Sequence, residues 1–282
     1  MASQLADVLN DATQALSIAD SDTPRLDARL LIAHALGMQP NELIVATHIE
    51  ISDEQLDCIR SLILRRREGE PVSRIIGRRE FWSLPLMVTP DTLDPRPDSE
   101  TLVEVSLKIR QEALPRNILD AGTGTGCLLI SLLTEWSEAY GIGLDISERA
   151  LQVAGGNAAR LGVRDRCKFV CSNWLTPITG KFDLIVSNPP YIGQSEFGTL
   201  SRSVRDYDPQ IALLAGEDGL DAYRALIPQC YAGLAPGGHL VVEIGMGQSA
   251  AVGAVVSAAG FGTVQTHKDL SGIDRCLSAV KI

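Results

Sequence analysis

The sequence predicts an α/β chain in two parts: a helical bundle over residues 1–75 and, over residues 98–282, a seven-stranded, mainly parallel sheet whose last strand runs antiparallel. Three observations carry this prediction. Apolar residues in the first seventy or so positions recur at helical spacing, a proline-rich stretch over 76–97 then interrupts the pattern, and from Asn117 onward short apolar runs alternate with helical segments. The length of 282 residues also fits two domains at roughly 150 residues each.

Leu5, Val8, Leu9, Ala12 and Leu16 mark the first helix by their 3.6-residue period. Thr23-Pro24 reads as a cap followed by proline at the first helical position, and Gly37 ends that second helix. Ser52 and Gln55 have capping-box spacing ahead of Leu56, Ile59 and Ile63. The connector holds prolines that confine its short apolar runs to edges and turns, which suggests a hairpin. Beyond it the expected strands are 117–121, 140–144, 167–171, 183–188, 238–244, 263–267 and 275–281. Strands separated by helices form βαβ units and a mainly parallel sheet. The last two are joined by too few residues for a crossover helix, so the final strand must turn back antiparallel.

Hydrophobic residues make up 45% of the chain and charged residues 21%, the balance of a folded globular protein. No apolar run approaches a membrane span, and the N-terminal MASQLADVLNDATQ has no basic region of the kind that opens a secretory signal. The expectation is a cytoplasmic monomer. The net charge of −10 is evenly spread, with 7 basic and 12 acidic side chains in residues 1–75, so no basic domain hides inside an acidic average. A nucleic-acid binder held by phosphate contacts is therefore not expected. The six cysteines are scattered apart from Cys167 and Cys171, and the four histidines lie far from them, so the cysteines read as buried free thiols and no metal chemistry is indicated. The Arg65–Arg67 run reads as a solvated helix end, as do Arg29 and Arg96 as isolated surface cations, and Trp82 as packing in the connector.

Two motifs carry chemistry. Asp120-Ala-Gly122-Thr123-Gly124-Thr125-Gly126 follows the first sheet strand and opens a helix, and Asp145 ends the second strand nineteen residues later. Glycines there allow a tight turn and close backbone approach to a ligand, and the strand-end acid is placed to accept from ribose hydroxyls, a Rossmann-like arrangement for a nucleoside cofactor. The third glycine comes one residue sooner than in a dinucleotide loop. Asp120 would repel a pyrophosphate but suits a cationic amino-acid tail, which favours S-adenosylmethionine over a nicotinamide cofactor.

Asn188-Pro189-Pro190-Tyr191 follows the fourth strand, at the same carboxyl rim of the sheet as the glycine loop. A planar amino nitrogen is a poor nucleophile because its lone pair is delocalised. Two acceptors gripping its N–H bonds, the Asn188 side-chain oxygen and the Pro189 carbonyl, would direct that lone pair toward a methyl donor. The prolines preset the carbonyl direction, and Tyr191 could lie over the target group beside the sulfonium.

DAGTGTG (120–126), Asp145 and NPPY (188–191) together resemble the amino-group methyltransferases that act on adenine or on glutamine amides. The wider pattern is similar to the release-factor glutamine methyltransferases of the HemK/PrmC type. It includes LDARLLIAHALG (26–37), RRREGEPVSRIIGRREFWSL (65–84), PRPDSETLVE (95–104), DPQIALLAGEDGLDAYRALI (208–227), EIG (243–245) and DLSGIDR (269–275). The resemblance implies a seven-stranded methyltransferase sheet and methyl transfer from S-adenosylmethionine to the glutamine of the Gly-Gly-Gln motif in class 1 release factors, leaving S-adenosylhomocysteine. It further implies cofactor contacts from the glycine loop, Asp145, Trp174 and Asn188, and a substrate grip by the NPPY residues. Asn173 stands where that family more often has aspartate. A nucleic-acid adenine methyltransferase shares both motifs but needs a basic surface. A ribosomal-protein glutamine methyltransferase lacks the PRPDSE likeness, and a catalytically dead docking module would not need the intact motifs. Glu243 and Asp208 could serve the frame or the substrate mouth.

Overall fold

In the computed structural model, residues 3–18, 21–46, 48–176 and 178–282 are described. They form two compact units, one ending at Arg78 and also including Ser201–Tyr207, the other comprising Arg79–Leu200 and Asp208–Ile282. No described helix is long and apolar enough to cross a membrane.

The first unit is built on helices α1 (Leu5–Ile18), α2 (Pro24–Leu36) and α3 (Asp53–Arg67). The apolar stripe of α1 buries Leu5, Val8, Ala12 and Leu16 against Leu31 and Ile32 of α2 and Ile59 and Ile63 of α3. Ser52 and Gln55 close the capping box at the start of α3, and Gly37 ends α2 in the left-handed conformation. Thr23 does not cap: its hydroxyl donates to Asp27 at 3.0 Å instead. Asp27 is buried, and its carboxylate also accepts from the Ser21 hydroxyl at 2.8 Å and from Arg66 Nε at 2.8 Å. Arg66 is thus a structural partner of a buried acid rather than part of a solvated helix end. Arg65 forms a two-pronged pair with Glu70 at 2.7 and 2.6 Å. Ser3–Gln4 and Glu50–Ile51 pair as a two-residue antiparallel ladder, too short to register as alternation in the sequence.

The connector is a hairpin of β1 (Arg78–Phe81) and β2 (Leu84–Met87). Its two-residue turn puts Trp82 and Ser83 at φ 51° and 58°, the left-handed geometry that matches strand twist but disfavours side chains. At the turn, Trp82 donates its backbone N–H to Glu100 at 2.8 Å and its indole N–H to Glu135 at 2.7 Å.

The remaining elements are α4 (Glu100–Ile109), β3 (Asn117–Ala121), α5 (Cys127–Glu135), β4 (Tyr140–Asp145), α6 (Glu148–Arg160), β5 (Cys167–Cys171), β6 (Phe182–Ser187), α7 (Asp221–Gly233), β7 (Leu234–Glu243), α8 (Ser249–Ala258), β8 (Val264–Lys268) and β9 (Asp274–Val280). The seven expected strands are all present, with β7 beginning at Leu234 rather than Gly238. Their order is β8-β9-β7-β6-β3-β4-β5, with β9 antiparallel to both neighbours. Side chains alternate between two buried layers, as a sheet covered on both faces requires. Ile118, Leu184, Val186 and Val241 pack with α4 and α5 on one side. Leu119, Ile185, Leu240 and Val242 pack with Tyr223 and Leu226 of α7 and Val252 of α8 on the other.

This order reverses direction at β3. The chain leaves β3 toward β4, whereas it leaves β6, paired with β3 on the opposite side, toward β7. The loops after β3 and β6 diverge there and open a crevice at the carboxyl ends, where ligands of open α/β sheets bind. The glycine loop and NPPY are those two loops.

All six cysteines are free thiols; Cys167, Cys230 and Cys276 are buried as expected, whereas Cys58 and Cys171 are exposed.

Candidate active site

The crevice is a cavity of about 400 Å³, a volume suited to a small-molecule cofactor. Among the residues the sequence singles out, Gly122, Thr123, Gly124, Thr125, Asp145, Trp174, Asn188 and Pro190 line it. Asp120, Gly126, Pro189 and Tyr191 are not among its lining residues.

The glycine loop is pinned at its base by the Leu144 carbonyl, which accepts from the amides of Gly122 at 2.8 Å and Thr123 at 2.7 Å. Gly126, at φ 83°, ends the loop as the N-cap of α5; a Cβ there would lie 2.8 Å from the Ile130 side chain and 3.3 Å from Ala154, so it serves close packing of the helix. Asn157 of α6, fully buried, donates to the Thr125 carbonyl at 3.0 Å and exchanges hydrogen bonds with the Met87 backbone, fixing the far side of the loop. Nothing in the local sequence marks Asn157 for this task.

Asp145 spans the loop from the end of β4. One carboxylate oxygen accepts from the Gly124 amide at 2.9 Å and the other from the Ser147 amide at 2.9 Å. Each oxygen keeps a lone pair for a further donor. Trp174, held at φ 56° with its carbonyl accepting from the Ser172 hydroxyl at 2.6 Å, brings its ring over Gly122. A bulky residue in the left-handed region is strained, and such strain is kept where a site needs the side chain in one place.

Asp120 lies beneath the loop, fully buried. Its Oδ2 accepts from the Thr123 hydroxyl at 2.7 Å, while Oδ1 has no hydrogen-bond partner among the described residues. Burial pushes its pKa up to about 7, against the pull of the Thr123 hydroxyl. The folded value lies above the ordinary carboxylate range, so the acid costs little at low pH, and stability is lost as pH rises toward about 7. Asp120→Asn should therefore be more stable than the parent by a margin that grows from about pH 4 to pH 7 and then levels, on the order of 1.4 kcal/mol per unit. Urea denaturation across that range measures it; a margin independent of pH would mean that Asp120 is ionised throughout.

The NPPY loop lies opposite. The Ser187 hydroxyl donates to the Ala121 carbonyl at 2.6 Å, locking the ends of β6 and β3 together just before both loops begin. Asn188 lines the cavity with its Nδ2 donating to the Ser99 hydroxyl oxygen at 3.1 Å. Pro189 is buried. Tyr191 is turned away from the cavity: its hydroxyl donates to Glu243 at 3.4 Å, its ring packs on the α7–α8 side of the sheet, and burial raises its pKa. Its carbonyl accepts from Gln248 Nε2 at 2.9 Å.

Gly219 closes on the same loop at φ 73°, where an added Cβ would overlap the Tyr191 carbonyl oxygen and stand 2.8 Å from Gln248 Nε2. Gly219→Ala combines left-handed strain with overpacking, together about 2–4 kcal/mol. It should lower the melting temperature and, by shifting the NPPY loop, any activity that the loop supports. Thermal unfolding beside an activity assay checks the pair, and parent values in both would show that this contact yields freely.

Comparison with known proteins adds a decisive likeness. The chain is 44% identical over 275 residues to the release factor glutamine methyltransferase of Rhodospirillum rubrum, covering 98% of this chain and 84% of that protein. It is 46% identical over 272 residues to that of Bradyrhizobium diazoefficiens, covering 95% and 91%. The chain belongs to the release factor glutamine methyltransferase family. The PrmC N-terminal domain matches residues 7–77, and a methyltransferase domain matches residues 116–249. The fold is shared more widely. The catalytic domain of hMettl16 superposes with a TM-score of 0.58 at 16% identity, covering 83% of this chain and 85% of that one. A methyltransferase from Pyrococcus furiosus gives 0.53 at 17%, covering 79% and 97%.

In this member of the release factor glutamine methyltransferases, the strand ends also bring in side chains that the motif reading left unassigned. Ser99, in the turn before α4, lines the cavity and joins Asn188 to Glu243 at the end of β7. Arg96 lines the cavity as well and is paired with the buried Asp208 rather than standing as a free surface cation. Both belong to the PRPDSE stretch, so the signal is the motif itself, although its partners lie 89 to 144 residues away.

Proposed function

We propose that this enzyme transfers the methyl group of S-adenosylmethionine to the side-chain amide nitrogen of the glutamine in the Gly-Gly-Gln motif of class 1 release factors. The observation that carries this reading is the placement of Asn188 on the wall of the same cavity as the glycine loop, with its amide N–H₂ engaged by Ser99 and its oxygen left to accept.

The residues present fit the cofactor. Asp145 retains acceptor capacity for ribose hydroxyls, Trp174, Ile146 and Leu93 offer apolar wall for an adenine, and the unpartnered oxygen of Asp120 supplies negative potential beneath the loop for a cationic amino-acid tail. When bound, S-adenosylmethionine supplies an electrophilic methyl group on a sulfonium. The chain's own task is then to hold the glutamine. Asn188 Oδ1 and the Pro189 carbonyl accept the two amide N–H bonds, raise electron density on nitrogen and point its lone pair into the cavity. The N–H turns acidic only as charge builds on that nitrogen, so no base has to be positioned in advance. Catalysis is orientation and electrostatics. A single glutamine side chain offers little discrimination, so recognition of the folded substrate falls to other surface, and the helical unit, with net charge −5 over residues 1–75, is the part of the chain given to docking.

Incubation with labelled S-adenosylmethionine and, separately, a class 1 release factor, ribosomal protein or DNA tests the reading. Label should enter the release factor, and mass spectrometry should place it on the Gly-Gly-Gln glutamine. Label in the ribosomal protein or DNA alone would overturn it.

A further inference from the structure

We propose that Glu243, the buried carboxylate at the end of β7, is a positioning residue for methyl transfer: acting through the Ser99 hydroxyl, it determines which end of the Asn188 amide faces the cavity. This rests on the reading of Asn188 as the acceptor for the substrate amide.

The argument follows proton directions. Glu243 is 1% exposed; its Oε2 accepts from Ser99 Oγ at 2.5 Å, and its Oε1 accepts from the Tyr191 hydroxyl. An ionised carboxylate only accepts, so Ser99 must give its one proton to Glu243. Toward Asn188, Ser99 then has lone pairs alone, and it takes the Asn188 Nδ2 proton at 3.1 Å. The Asn188 amide is thereby compelled to present its oxygen elsewhere, which is the orientation that can accept a substrate N–H. Were position 243 able to donate, the Ser99 proton could swing to Asn188 Oδ1. The amide would turn over, and its N–H₂ would meet the substrate's N–H₂, donor against donor. An asparagine amide is otherwise nearly symmetric in shape, so only its partners can set this choice.

The setting is that of a group kept for function. Buried carboxylates are normally matched by a direct cation. Here the guanidinium that acts on it, Arg275, is engaged with Asp98 at 3.1 Å and Asp269 at 3.0 Å. The groups facing Glu243 are Asp98 and Ser99 from the turn before α4, Tyr191 from the NPPY loop, Tyr223 from α7, Cys127 from α5, and Arg275 and Cys276 from β9. Burial pushes Glu243 up to about 7, with Ser99, Arg275 and Tyr191 drawing it back, while Tyr191, Tyr223, Cys127 and Cys276 are all pushed up away from neutrality. Protonation of Glu243 near neutral pH would release the amide in the same way as a donor side chain.

The test is Glu243→Gln in the full chain, assayed on a release factor at saturating cofactor. It should lower kcat at least tenfold at pH 8 while leaving the melting temperature at or above the parent's and cofactor affinity within about twofold. The parent's kcat should fall as pH drops through about 7, and the variant's profile should be flat there. Ser99→Ala removes the relay hydroxyl alone and should also lower kcat, which keeps the test open should Glu243→Gln not fold. The double variant should be no slower than the slower single one, since both interrupt one chain. A parent-like kcat in Glu243→Gln, or in Ser99→Ala, with Asn188→Ala inactive overturns the relay and leaves the proposed function standing. Parent-like turnover in Asn188→Ala would instead remove the reading on which the relay rests.

Discussion

Asn188→Ala should leave a folded protein that methylates release factor on the order of 10²–10³-fold more slowly, a loss like that from deleting one preorganised partner of a developing charge. Asn188 is only partly buried, and among the described residues its side chain bonds to Ser99, so folding loses little. On the proposed reading of Asn188, chemistry loses more, because the acceptor for the substrate amide is gone and the lone pair is no longer directed. Asn188→Asp would not rescue the rate. An aspartate keeps the acceptor but cannot donate to Ser99, whose proton is already committed to Glu243, so two carboxylates would compete for one hydroxyl. Single-turnover methylation beside circular dichroism checks both variants; a near-parent rate in Asn188→Ala removes this residue from the reaction.

What the sequence made readable was local. Alternation such as Ile118 against Leu119 marks a strand buried on both faces, and a glycine every second residue after it marks a loop that approaches a ligand closely. Motif placement after β3 and β6 then followed from topology, since both loops leave the same rim at the reversal point. Side-chain direction was not readable. The sequence allows Tyr191 to lie over the target group, yet its hydroxyl finds Glu243 on a strand 52 residues later, and its ring is buried against the α7–α8 layer. Ser99 and Glu243 are 144 residues apart, and no spacing rule connects them. Arg66 illustrates the same limit: a basic run at a helix end reads as solvated unless the buried acid it neutralises, Asp27, is seen beside it.

Asp145→Ala should have the second large effect, on cofactor binding. Its carboxylate carries two tasks at once: it would take ribose hydroxyls in charge-assisted bonds, each about 1.5–3 kcal/mol, and it already holds the Gly124 and Ser147 amides at 2.9 Å each. Loss of one ribose bond alone lowers affinity by about tenfold to a hundredfold or more. The orphaned amides add a second penalty, since the glycine loop must be ordered again each time the cofactor binds. Asp145→Asn separates the two contributions. Its side-chain oxygen can still accept from one amide, but its N–H₂ must face the other amide or a ribose hydroxyl, so the loop should be held better than in the alanine variant while charge-assisted binding is lost in both. Titration calorimetry with S-adenosylmethionine should rank parent above Asp145→Asn above Asp145→Ala, with kcat at saturating cofactor changed far less than affinity. Equal affinity in all three would move the ribose contact away from the end of β4, and a loss confined to kcat would place Asp145 with the NPPY residues rather than with the glycine loop.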